Sequence, residues 1–245
     1  MPQVPKPRAR RLATAFCLSL AGSALADPAL PPAPLPEAEQ TAWHAIGRLT
    51  RYSPDNPNTC TATLVAPDLV LTAAHCVTAP GSGAPVPAYR LHFIASGHAE
   101  RYLPHRIGAE VILPEGFSGP ARAGAPDDIA LLRLAAPFPP EIATPLPLVP
   151  LAFAAPPFAI VGYRGDTPGL LSGHDDCTLT ARRPDVIGLS CAVVTGNSGA
   201  PVLTRLPDGW YVVAVVSASA GSHPMLRAVA VLPAGAIAAR IRRGG

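Results

Sequence analysis

The chain is poor in charge and in the residues that build long helices. Charged side chains make up 14% of its 245 residues and aromatic side chains 5%. Lys and Glu, which favour exposed helix faces, are scarce, so a fold dominated by long amphipathic helices is excluded. No stretch repeats along the chain, which argues against solenoids and propellers. No apolar run reaches the roughly 20 residues that a membrane-spanning helix needs. His174-Asp175-Asp176-Cys177 comes nearest to a metal-binding cluster, but it lacks a second ligand group at metal-site spacing, and no metal or other cofactor is expected.

What the chain does hold is 32 prolines and 21 glycines in a background that is 49% hydrophobic. That is ample apolar material for a core. Short segments rich in Val, Ile, Leu and Thr, separated by Pro/Gly turns, predict an all-β domain. The candidate strands are residues 61–65, 69–72, 89–95, 101–103, 109–113 and 129–134, then 158–163, 177–182, 186–191, 201–204, 211–216 and 228–232. Residues 135–157 are proline-rich and read as the connection between two lobes, because backbone without N–H donors cannot sit in a central strand. Residues 114–126 read as a long mobile loop. Ile237 and Ile241, four apart, predict a short C-terminal helix with one apolar face.

The N-terminus has the layout of an export signal. Lys6, Arg8, Arg10 and Arg11 precede an apolar run from Leu12 to Leu25, and Ala24-Leu25-Ala26 is a small-residue cleavage site. A signal peptide over residues 1–26 and a secreted or periplasmic protein are therefore expected, with no membrane attachment after cleavage. Residues 27–42 follow as a proline-rich lead-in, extended and solvated, ahead of the folded part at 43–245. Loss of the signal removes four of the 19 basic side chains and no acid, leaving 15 against 16 acids, a formal charge of −1. Nucleic acid is not an implied partner. Cleavage also removes Cys17, and the remaining Cys60, Cys76, Cys177 and Cys191 form an even set, which in an exported chain implies two disulfides.

Three segments carry chemistry. Leu71-Thr72-Ala73-Ala74-His75-Cys76 supplies an imidazole, Asp127-Asp128-Ile129-Ala130-Leu131-Leu132 a carboxylate, and Thr195-Gly196-Asn197-Ser198-Gly199-Ala200-Pro201 a hydroxyl in a glycine-rich turn. A serine hydroxyl is a poor nucleophile at neutral pH and needs a base within hydrogen-bond reach. Histidine can take that proton and return it to the leaving group, and a carboxylate on its far ring nitrogen fixes the tautomer. The order His75, Asp128, Ser198 argues against an α/β-hydrolase, whose order begins with Ser and whose elbow has glycine where Ala200 stands.

With these motifs the chain resembles the chymotrypsin/trypsin-like serine peptidase family from about Trp43 to Ala239. The likeness implies two packed antiparallel β-barrels, at about 43–140 and 150–235, with a short C-terminal helix. It implies a monomeric serine endopeptidase acting on a protein or peptide substrate without a cofactor. His75, Asp128 and Ser198 would be catalytic, with the N–H groups of Gly196 and Ser198 as the oxyanion hole. The disulfides would be Cys60–Cys76 and Cys177–Cys191. Asp128 rather than Asp127 aligns with the motif, and Ser217 matches a hydroxyl that supports the carboxylate. The substrate pocket would involve Ala192, Val193, Ser217 and Ser219; with no acid at Ala192, a small or apolar side chain is expected in place of Arg or Lys. The alternative from another class is a catalytically silent binding protein on the same fold.

One departure stands out. Most animal members carry aspartate before the nucleophile, where it pairs with an N-terminus freed by proteolysis. This chain has Asn197 and no Ile-Val-Gly-Gly activation site, and in this it is similar to the bacterial glutamyl-endopeptidase-like (V8-like) branch. The expectation is an oxyanion hole that forms on folding, without cleavage.

Overall fold

The computed structural model describes residues 30–53, 59–96, 104–118, 121–221, 223 and 225–244. The signal expected at 1–26 and the strand expected at 101–103 lie outside the described residues.

The chain is mostly β. A short strand β1 (Ala33–Pro34) and a helical turn α1 (Glu37–Gln40) precede the first lobe. That lobe comprises β2 (Ile46–Arg51), β3 (Thr59–Ala66), β4 (Leu69–Thr72), a turn of helix α2 (Ala74–Val77), β5 (Leu91–Ala95), β6 (His105–Ile112) and β7 (Ala130–Leu134). The second lobe comprises β8 (Phe158–Tyr163), β9 (Leu171–Cys177), β10 (Leu179–Arg182), β11 (Val186–Leu189), β12 (Pro201–Leu206), β13 (Gly209–Ser219) and β14 (Ala228–Val231), followed by α3 (Gly235–Gly244).

The six strands of the first lobe close into a barrel in the order β2-β3-β4-β7-β6-β5. Closure in the second lobe differs from expectation. Its strands form an eight-stranded sheet, β1-β9-β8-β12-β13-β14-β11-β10, which curls without closing. The outer edge of β9 is covered over Ser172 and Gly173 by β1, which pairs Ala33 with Gly173 and Pro34 with Ser172. Only Thr178 separates β9 from β10, so the chain itself joins the two ends of the sheet at one corner.

The strands at the junction are buried on both faces, and they make the two lobes one body. Along β4, Val70 points into the first barrel, while Leu69 and Leu71 point to a core shared between the lobes. On β7, Leu132 and Leu131 divide in the same way. From the other side, Val161, Leu203 and Val215 enter the shared core, and their neighbours Ile160, Val202 and Val216 fill the second lobe. Ile237 and Ile241 of α3 seat in the shared core, so the helix is where its i, i+4 pattern puts it.

Two expectations about loops are corrected. The lead-in is exposed over most of its length, as expected, but it is not extended throughout: it turns helical at Glu37–Gln40 and is docked at Leu35. Leu35 packs against the shared core, and its N–H donates to the Leu171 carbonyl at 2.9 Å. Proline is tolerated in β1 because that strand is an edge. Residues 114–126, expected as a mobile loop, are anchored where described: Phe117 packs on the first-barrel core and the Gly124 N–H donates to the Ser217 hydroxyl at 2.6 Å.

Two disulfides are present, Cys60–Cys76 and Cys177–Cys191, with sequence separations of 16 and 14. Loops of this length are worth about 3 kcal/mol each in the chain-entropy account. Replacing Cys177 and Cys191 together by alanine is expected to lower the unfolding free energy by about that amount. The urea midpoint measures it, and an unchanged midpoint would contradict it.

Candidate active site

The three motifs meet at the junction of the lobes. In the register of β4 with β7, Thr72 lies opposite Ala130. The strands are antiparallel, so the residues just after Thr72 and just before Ala130 emerge side by side. This brings α2, which carries His75, against Asp128.

Asp128 is completely buried. Its Oδ1 accepts the His75 backbone N–H at 2.8 Å, and its Oδ2 lies 2.8 Å from His75 Nδ1. Ser217, itself buried, donates its hydroxyl to Oδ2 from the second lobe. It reaches across because β13 has a bulge there, between the pairs Val216–Ala230 and Ala218–Val229. A buried carboxylate needs such partners, since an unpaired one would carry a large desolvation cost. Among the described residues, the neighbouring Asp127 makes no such contact; its carbonyl accepts the Ile129 N–H.

Ser198 lies in the turn between β11 and β12. Gly196 and Gly199 have φ of 99° and 83°, in the left-handed region that side chains disfavour. A Cβ on Gly196 would also lie 2.6 Å from Gly165 N and 2.7 Å from the Tyr163 carbonyl oxygen, so this position has no room for one. The turn is tied to the second sheet by Gly199 N–H donating to the Val216 carbonyl at 2.7 Å. It is tied to the first barrel by Thr61 N–H donating to the Ser198 carbonyl at 2.8 Å. Among the described residues, the N–H groups of Gly196 and Ser198 find no acceptor, and neither the Ser198 hydroxyl nor His75 Nε2 has a hydrogen-bond partner.

Asn197 is 1% exposed. Its Oδ1 accepts the Val194 N–H at 2.8 Å and its Nδ2 donates to the Tyr163 carbonyl at 2.9 Å. Both ends of the amide are therefore used, by neutral hydrogen bonds.

Several supporting residues carry no sequence motif. Buried Thr61 donates its hydroxyl to the Gly196 carbonyl at 2.8 Å, accepts the Tyr163 N–H at 2.9 Å, and has its own carbonyl held by the Thr72 hydroxyl. Arg51 donates to the carbonyls of His75 at 2.5 Å and Cys76 at 3.0 Å, clamping the turn that carries His75. Burial lowers the Arg51 pKa from its ordinary value.

A cleft of about 660 Å³ opens beside His75, lined by Arg51, Tyr52, the Cys60–Cys76 disulfide, Asp166 and Thr195. None of the four residues expected at the substrate pocket lines this cleft. Ala192 is half-buried, Val193 packs in the second-lobe core, Ser217 is buried on Asp128, and Ser219 is exposed with its hydroxyl accepting the Gly221 N–H at 3.2 Å. Behind Ala192 lies His174, whose pKa is lowered by burial against the raising effect of Asp176. His174, Asp176 and Cys191 gather within 4.8 Å, as do Cys60, His75 and Cys76. Their sulfurs are in disulfides and so are not thiolate donors, which leaves neither group enough ligands for a metal site.

A family model described as a trypsin-like peptidase domain matches residues 60–215, well over half of the chain and including His75, Asp128 and Ser198. No curated protein matches the chain.

Proposed function

Because the chain belongs to the trypsin-like peptidase family, we propose that it is an exported serine endopeptidase working through His75, Asp128 and Ser198. The observation that carries this reading is the clamp on His75. Asp128 receives both its backbone N–H and its Nδ1, so the ring is held with Nε2 turned outward as the free base.

In the proposed cycle, Ser198 Oγ attacks the peptide carbonyl carbon as its proton passes to His75 Nε2. The oxyanion takes the N–H groups of Gly196 and Ser198, a term of about 3–4 kcal/mol per donor in related chemistry. The C–N bond then breaks, the amine leaves with the proton from His75, and an acyl-enzyme remains on Ser198. Water, deprotonated by His75, releases the acid and restores the hydroxyl. The nucleophile–base contact, open here, is of the kind that commonly tightens only when substrate binds.

The neutral contacts of Asn197 support placement in the V8-like branch, with an oxyanion hole formed on folding. Export of the chain from Asp27 onward fits the paired cysteines, and no helix among the described residues is long and apolar enough to cross a membrane. Casein digested by the mature chain should be cut after small or apolar residues and not selectively after Arg or Lys, as read by sequencing the fragments. No cleavage of casein or of a peptide library would favour the silent binding protein instead.

A further inference from the structure

The segment ahead of the first barrel is tied to the loop that underlies the oxyanion turn, and we propose that residues 32–40 form a strap that holds this turn in shape, with Arg164 as the positioning residue that couples the two. The inference rests on the peptidase reading above.

The strap is fastened along the hairpin of β8 and β9. β1 pairs with Ser172 and Gly173, and Leu35 enters the shared core with its N–H on the Leu171 carbonyl. Gln40 completes the fastening: its Nε2 donates to the Leu35 carbonyl and its Oε1 accepts the Leu171 N–H, both at 3.0 Å. The residues just past the end of β8 then reach back. Arg164 Nη1 donates to the carbonyl of buried Pro32 at 2.7 Å, while Nε and Nη2 grip both oxygens of Asp166 at 2.9 and 2.6 Å. Three contacts in one guanidinium plane fix residues 164–166 against the strap.

Those same residues are the surface on which the oxyanion turn is moulded. Gly165 N–H donates to the Thr195 carbonyl at 2.7 Å. Asn197 Nδ2 donates to the Tyr163 carbonyl. Gly196 sits so close that an added Cβ would be 2.6 Å from Gly165 N and 2.8 Å from the Arg164 carbonyl carbon. The Arg164–Asp166 pair is a partly exposed ion pair and by itself contributes little to stability. Its effect on the reaction is larger, because oxyanion donors act only when held to within about 0.5 Å of the productive position. A cut near Trp43 that frees residues 32–40 would therefore lower activity, the reverse of proteolytic activation.

The test uses the mature chain, residues 27–245, as wild type and as Arg164→Gln, Leu35→Asp and the double variant. Hydrolysis of a peptide substrate and the labelling rate with a fluorophosphonate are measured, with thermal unfolding alongside. Each single variant is expected to lose between about tenfold and a hundredfold in kcat and in labelling rate. KM should change by less than about twofold, because no substrate contact is removed. The double variant should be no worse than the more severe single, as for two parts of one device. Arg164→Lys should recover part of the rate, since an ammonium still reaches one carbonyl but cannot grip Asp166 with two parallel bonds. Should Leu35→Asp fail to fold, Gln40→Ala replaces it, breaking two hydrogen bonds without touching the core. Rates for Arg164→Gln and the strap variant within about twofold of wild type, or additive losses in the double, would overturn the proposal. A wild type that neither cuts peptide nor takes the label would overturn the peptidase reading, and the strap's role with it, which is a different result from a labelled wild type with unaffected variants.

Discussion

Asn197→Asp is expected to cost the protein about 3–5 kcal/mol at pH 8, the range for a buried charge left without a partner. The change keeps the acceptor for the Val194 N–H but removes the donor to the Tyr163 carbonyl, and it sets a carboxylate oxygen against that carbonyl oxygen. At 1% exposure, water cannot make good the loss. Against a usual stability of about 5–15 kcal/mol, this is a large fraction. The pH dependence has a definite sign. An unpaired buried carboxyl has its folded pKa raised above the unfolded value near 3.9, so the folded state binds the proton more tightly. The penalty is then full above the folded pKa and shrinks as pH falls through it. A protonated carboxyl can also donate to Tyr163, as the amide does. The deficit in melting temperature should therefore be smaller at pH 5 than at pH 8, and labelling by a fluorophosphonate at pH 8 should fall sharply. A variant as stable and as reactive as wild type would show that the amide is not what holds the turn.

Ser198→Ala is expected to abolish peptidase activity while leaving the fold intact. Loss of the nucleophile costs on the order of 10⁶ in kcat in serine hydrolase chemistry of this type. The stability change should stay within about 0.5 kcal/mol, because the hydroxyl is half-buried and unpartnered among the described residues while the Thr61 tether uses the backbone carbonyl. Hydrolysis of a peptide substrate and thermal unfolding, measured on the same preparation, check both halves. Turnover comparable to wild type would remove Ser198 from the mechanism.

Much of this molecule was legible in the sequence where local pattern and final environment agree. Leu69-Val70-Leu71 and Ala130-Leu131-Leu132 are unbroken apolar runs because each strand faces two cores. The His75, Asp128 and Ser198 motifs are local, and the ends of β4 and β7 bring the first two together without further instruction. β9 was read only at its last residue, Cys177. Its Ser-Gly-His-Asp-Asp core has low strand propensity, and it is a strand because β8 and β1 pair with it on either side. The docking of the lead-in leaves no local signal for a related reason. Its prolines offer no N–H, but their carbonyls still accept, and Arg164 finds one from 132 residues away. Thr61 was equally silent: its hydroxyl serves the Gly196 carbonyl across 135 residues of chain. Contacts of that range leave no periodicity or spacing to read.

In the proposed function, Ser198 is a reactive nucleophile in a chain that needs no activating cut. The most direct measurement is reaction of residues 27–245 with a fluorophosphonate, followed by intact-mass and peptide mapping. One phosphonyl adduct per chain is expected, on the peptide holding Ser198, with fluoride displaced and Asp27 still the first residue. No adduct, an adduct on another residue, or an adduct that forms only after a cut near Trp43 would contradict it.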